Sequence, residues 1–68
     1  MRNRVREERT QRGISQAEIA TALGVSRQTV ISIESGRYSP SLPLAFRIAW
    51  FFDSTVDKMF DPEDGVDP

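Results

Sequence analysis

The 68-residue chain contains neither cysteine nor histidine. Without cysteine there are no disulfides and no thiolate metal sites, so a reducing cytoplasm is the expected home. Without histidine as well, a zinc centre or a nucleophile–base pair has lost its usual members. No metal, cofactor or small-molecule ligand is expected, and the chain is not expected to be an enzyme. Its richest run of carboxylates falls near the C-terminus, with no partner base. Long apolar runs are lacking too: none approaches the roughly 20 residues needed to cross a bilayer. The opening Met1-Arg2-Asn3-Arg4 has no apolar segment behind it to make a secretory signal, so no membrane partner is expected. A chain this short holds one domain and buries only about 60% of its unfolded surface, so pairing of two copies would add stability.

Excess charge is nearly absent, with a net of −1, but its distribution is uneven. Residues 1–47 carry eight arginines against Glu7, Glu8, Glu18 and Glu34, whereas residues 48–68 carry Lys58 against six carboxylates. The positive part coincides with the most patterned stretch, so the dipolar layout says more about partners than the total does.

That stretch is Gln16 to Glu34, QAEIATALGVSRQTVISIE, which reads as two short helices joined by a tight turn. Ile19, Ala20 and Leu23 mark the inner face of the first, Val30 and Ile33 that of the second. Gly24 stands where the chain leaving a helix needs a positive φ, which costs glycine least. Val25 follows as a plug under the turn, and Ala20 is small where the second helix crosses closely. These positions agree on a helix-turn-helix with steeply crossing helices. Both helices carry start signals: Ser15 and Glu18 form a capping box, and Ser26 is an N-cap.

Stepping about 100° per residue from Arg27 to Ser35 turns Val30 and Ile33 inward. Arg27, Gln28, Ile31 and Ser32 then project from the opposite side. Arginine pairs bidentately with guanine, glutamine with adenine, and an aliphatic group covers a thymine methyl. This face suits the reading of bases in a major groove; Ile31 suits a protein partner equally well. Gln16, at the start of the first helix of the pair, is placed to hold a phosphate, because amide donors and the helix dipole converge there. Ser26, Thr29 and Tyr38 supply further hydroxyls for the same purpose.

The match extends well beyond the motif: Val5, Arg9, Arg12-Gly13-Ile14-Ser15-Gln16, Gly24 to Thr29, Ile33-Glu34, Gly36-Arg37, Pro40-Ser41-Leu42, Ala45, Ile48-Ala49 and Met59-Phe60. On these residues the chain resembles the Cro/repressor (XRE-type) helix-turn-helix regulators. The resemblance implies an all-α, compact, five-helix lambda-repressor-like domain over residues 1–60. It further implies binding of double-stranded DNA through the third helix, commonly as a homodimer on a palindromic operator. Similar proteins pair an arginine at the position of Arg9 with a glutamate at that of Glu34, and hold a phosphate with a cation at the position of Arg37. The chain departs from the pattern at Glu8, where the family usually has leucine. Either its head turns to solvent or it pairs with an arginine such as Arg4 or Arg12, because a buried unpaired carboxylate costs too much.

Around the motif, residues 2–12 are expected to form helix 1, stopped by Gly13, with Ile14 anchoring the loop. After a loop at residues 35–40, helix 4 runs from Ser41 or Leu42 to about Phe52, with Leu42, Ala45, Ile48, Ala49 and Phe52 as its core stripe. Leu44, Trp50 and Phe51 extend the apolar arc beyond one core's requirement. They are candidates for a dimer interface, unless helix 5 and the tail cover them. Asp53 tolerates a left-handed turn, Thr55 caps a short helix 5, and residues 61–68 form an acidic tail expected to be flexible. The leading function is a DNA-binding regulator that represses by occupying its operator. The alternative is an antitoxin, which would still bind DNA, or a protein-interaction module on the same scaffold, which would have no use for Arg27, Gln28 and Arg37.

Overall fold

The computed structural model describes residues 1–62. Five helices follow one another: α1 (Val5–Gln11), α2 (Gln16–Leu23), α3 (Arg27–Glu34), α4 (Leu42–Phe51) and α5 (Val56–Met59). A minimal antiparallel ribbon joins the two ends of this array, with β1 (Arg2–Asn3) paired to β2 (Phe60–Asp61). Ile19, Ile33, Ile48, Met59, Val5 and Val30 are buried almost completely, so every helix sends at least one apolar side chain to a single centre. Ile14 and Val25 pack against that centre from the loops, as anchor and plug respectively.

Local chemistry sets the helix ends. Ser15 Oγ accepts from the Glu18 amide at 3.0 Å, and the Glu18 carboxylate accepts from the Ser15 amide at 2.7 Å, a reciprocal capping box. These bonds hold the Glu18 carboxyl below its ordinary range, the Ser15 backbone contributing most. At the other end of α2, Gly24 takes φ 72°, and Arg47 from α4 donates to the Leu23 carbonyl there. Ser26 and Ser41 cap α3 and α4 through the amides of Thr29 and Leu44. Asp53 adopts φ 54°, the left-handed turn expected of it. Thr55 occupies the N-cap of α5 without bonding a backbone amide. Its hydroxyl is the chief influence holding the Asp57 carboxyl below its ordinary range.

Glu8 is accommodated at the helix edge. Its carboxylate accepts from Arg12 Nη1 at 2.6 Å and from Arg4 Nη2 at 3.4 Å. Chiefly through Arg12, its carboxyl is held below the ordinary value. Arg12 in turn lies over the Phe52 ring at 5.0 Å. Its charged head thus joins α1 to the end of α4, where the resemblance would have put an apolar contact.

Three expectations need correction. Helix 1 does not begin at residue 2: Arg2 and Asn3 are extended, and the helix starts at Val5. The ribbon partner lies in a segment expected to be part of the tail, since Asp61 belongs to β2; the rest of that expectation, residues 63–68, lies outside the described residues. On α4 the two leucines exchange roles, with Leu44 buried at 7% exposure and Leu42 open at 64%. Leu44 lies four residues before Ile48, about 40° from it around the helix, whereas Leu42 lies about 120° away. Leu44 is therefore a core residue, and a place for it in a dimer interface is withdrawn.

Candidate nucleic-acid interface

Two polar networks hold α3 in place. At its start, Ser26 Oγ accepts from the Thr29 amide at 3.1 Å and lies 2.9 Å from Thr29 Oγ1. The two hydroxyls share one proton between them, which leaves the other proton available to an external acceptor. At its end, Glu34 is gripped by Arg9 through two parallel bonds, Nε to Oε2 at 2.7 Å and Nη2 to Oε1 at 3.2 Å. Both side chains are largely buried, at 11% and 5% exposure. The pairing raises the affinity of the Arg9 guanidinium for its proton. Arg9 Nη1 also donates to the Ile14 carbonyl at 2.9 Å, so α1, the following loop and the end of α3 meet at one guanidinium.

Gln16 connects this pair to the start of α3. Its Nε2 donates to Glu34 Oε1 at 3.1 Å, and its Oε1 accepts from Arg27 Nη2 at 3.4 Å. The side chain expected to hold a phosphate is thus engaged in positioning Arg27. One N–H of its amide group stays free for an external acceptor.

The remaining residues frame α3 from two sides. On the flank toward α1 and α2, a recess of about 560 Å³ is lined by Arg6, Gln16, Arg27, Ile31 and Ser35 among others. On the opposite flank, a recess of about 270 Å³ is lined by Ser26, Gln28, Thr29, Ser32 and Tyr38. Arg27 and Gln28 are exposed, while Ile31 and Ser32 are half-buried on the walls of the two recesses. Beyond the helix, the Ser32 carbonyl accepts from the amides of Arg37 at 3.0 Å and Tyr38 at 3.2 Å. These bonds tie the loop back onto α3. The side chains of Arg37 and Tyr38 remain exposed.

This arrangement is a rigid, capped helix with an outward polar face and donors on both flanks. A helix-turn-helix family model matches residues 5–59. The chain belongs to the Cro/repressor (XRE-type) family of helix-turn-helix transcriptional regulators. An HTH-type transcriptional regulator of Methanocaldococcus jannaschii is 47% identical over 64 residues, which is 94% of this chain and 97% of that protein. One from Methanothermobacter thermautotrophicus is 57% identical over 49 residues, covering 72% of this chain and 71% of its own length. The cryptic phage CTXphi transcriptional repressor RstR of Vibrio cholerae is 29% identical over 66 residues, 96% of this chain and 60% of its own.

Two residues beside α3 leave little trace in the sequence. Asn3 donates through Nδ2 to the Ile33 carbonyl at 2.8 Å, securing the last turn of α3, and its Oδ1 accepts from the Val5 amide at 3.1 Å. An asparagine two residues ahead of a helical valine is a recognisable start signal, and it could have moved the beginning of helix 1. Arg6 carried no such signal, because its place in the recess depends on how α1 lies across α3. The dimer candidates divide: Trp50 and Phe51 are exposed at 68% and 38%, whereas Leu44 faces the core. No helix of the described residues is long and apolar enough to cross a membrane.

Proposed function

We propose that this regulator binds double-stranded DNA sequence-specifically and represses transcription by occupying a palindromic operator as a homodimer. The observation that carries the reading is the recognition helix itself. It is capped by Ser26 and locked to α1 through Glu34, with Arg27 and Gln28 exposed between two polar recesses. Arg27 and Gln28 read base edges, with Ile31 and Ser32 on the walls of the groove-filling face. Gln16, Ser26, Thr29, Arg37 and Tyr38 hold phosphates and fix the register. Similarity to a phage repressor supports repression over activation, and no small-molecule effector enters the scheme.

A single recognition helix contacts too few base pairs to select one site in a genome. A two-fold pair sets two such helices about 34–36 Å apart, matching an inverted repeat. The surface assigned to that contact lies away from the recognition helix, where Leu42, Phe46 and Trp50 stand exposed around an apolar recess of about 700 Å³. Phe51, exposed next to Trp50 in the chain, extends this surface, and Leu42 stands in it in place of the buried Leu44. An exposed apolar patch of this kind marks an interaction site on a small domain.

Selection from a random double-stranded DNA library, followed by sedimentation of the protein with the winning duplex, tests the reading. Enrichment of an inverted repeat bound by two copies is the expected result. An unenriched pool would remove sequence specificity, and a single half-site bound by one copy would remove the dimer.

A further inference from the structure

Among the described residues, the carboxylates near the recognition helix are already committed. Glu7 accepts from Arg4 at 2.5 Å, Glu8 from Arg12 and Arg4, Glu34 from Arg9, and Glu18 closes the α2 cap. The arginines divide accordingly. Arg2 lies 3.6 Å from Asp61, Arg27 donates to Gln16, and Arg47 donates to the Leu23 carbonyl. Two guanidiniums remain without a carboxylate or hydrogen-bond partner among the described residues, those of Arg6 and Arg37. The second already has an assigned role at the loop after α3.

We propose that Arg6 anchors a phosphate of the DNA strand running along the α1 side of the recognition helix. The proposal rests on the DNA-binding reading above and adds to it a contact from outside the helix-turn-helix. Arg6 precedes Arg9 by three residues, so the two share one face of α1. Arg9 is the residue that pins this face against the end of α3. Arg6 is exposed and lines the same recess as Gln16, Arg27 and Ile31. Glu34 is the one carboxylate lining that recess, and Arg9 already neutralises it, so Arg6 and Arg27 leave a surplus of positive charge. The recess on the other flank is lined by hydroxyls and an amide and by no charged side chain. On that flank the cationic contact is left to Arg37 in the loop beyond the helix, whereas on the α1 side Arg6 and Arg27 line the recess themselves. A guanidinium left without an acid suits a phosphate oxygen, which it bonds in bidentate fashion. Releasing one condensed counterion gives the contact a signature in salt.

The test is fluorescence anisotropy over a salt series, using the full chain with a selected duplex and a scrambled one, for wild type, Arg6→Ala, Arg6→Lys, Arg37→Ala and Gln28→Ala. Arg6→Ala is expected to weaken binding to both duplexes by the same factor and to reduce the salt slope by about 0.9. Arg6→Lys is expected to retain the slope, and it keeps the comparison valid should alanine disturb folding. A slope unchanged in Arg6→Ala, with Arg37→Ala still lowering it, would overturn the role of Arg6 and leave the DNA-binding reading intact. Altered preference between the duplexes would make Arg6 a base-reading residue and equally overturn it. Absence of salt-dependent binding by the wild type would remove both.

Discussion

Asn3 joins the entry of α1 to the exit of α3 through one amide group. Its Oδ1 accepts from the Val5 amide at 3.1 Å, and its Nδ2 donates to the Ile33 carbonyl at 2.8 Å. Replacement by alanine leaves the Val5 amide without its partner, at a cost of about 1–3 kcal/mol, and takes one of two donors from the Ile33 carbonyl, which keeps the Gly36 amide at 3.0 Å. Urea denaturation of Asn3→Ala should show a lowered midpoint with an unchanged slope. Asn3→Asp should recover only the Val5 half of the loss, because a carboxylate cannot donate to the Ile33 carbonyl.

Arg9 and Glu34 invite a double-mutant cycle. Removing either alone strands a partly desolvated charge and should cost about 3–5 kcal/mol. Substituting both with size-matched apolar residues should restore much of that loss. Strict additivity in equilibrium unfolding would show that the two bonds do not couple.

The two leucines of α4 give an opposed pair. Leu44→Ala should destabilise the domain by about 2–5 kcal/mol. Leu42→Ala, at a position 64% exposed, should stay within about 0.5 kcal/mol and weaken dimerisation instead. Thermal unfolding and sedimentation together separate the two effects.

Specificity and affinity divide between Gln28 and Arg37. Gln28→Ala should relax base preference at one position in each half-site, by roughly 1–3 kcal/mol. Arg37→Ala should weaken binding to all sequences alike and lower the salt slope by about one unit. A changed base preference in Arg37→Ala, with Gln28→Ala neutral, would contradict the placement of the recognition helix.

Acid should loosen the domain through Glu8 and Glu18. Arg12 holds the first carboxyl, and Ser15 the second, below the ordinary value of 4.5. A carboxyl depressed in the folded state contributes its full stabilisation above the unfolded pKa and loses it as pH falls through the folded one. Stability measured from pH 6 downward should therefore begin to decline near 4.5. The decline should be shallower in Glu8→Gln and Glu18→Gln, each already weaker at neutral pH.

The sequence made the motif legible because helix caps, the Gly24 turn and the inward stripe of α2 and α3 are local patterns with fixed spacing. Arg9 and Glu34 were visible only through the resemblance, since nothing within either helix says that residues 25 positions apart meet. The phase of α4 is ambiguous at its first turn, where the apolar residues Leu42 and Leu44 offer two competing stripes. Only packing against α2 and α5 decides between them. The ribbon left no pattern, because two-residue strands are too short for an alternation to appear. Arg6 was hidden for a different reason: its significance is a remainder, seen once every acid nearby has been assigned.

The ribbon gives the domain the topology of a ring. Arg2 sits opposite Asp61 and Asn3 opposite Phe60, while Arg4 donates to the Met59 carbonyl at 2.9 Å. The first and last described residues are thus neighbours held by backbone bonds. The helices depend mainly on near-neighbour contacts and can assemble early, whereas this clasp waits until almost the whole chain has been gathered. Asn3 belongs to the clasp and also holds the final turn of α3. Fraying at the seam would release a bond that holds that turn, so the closing of the ring and the end of α3 depend on one side chain.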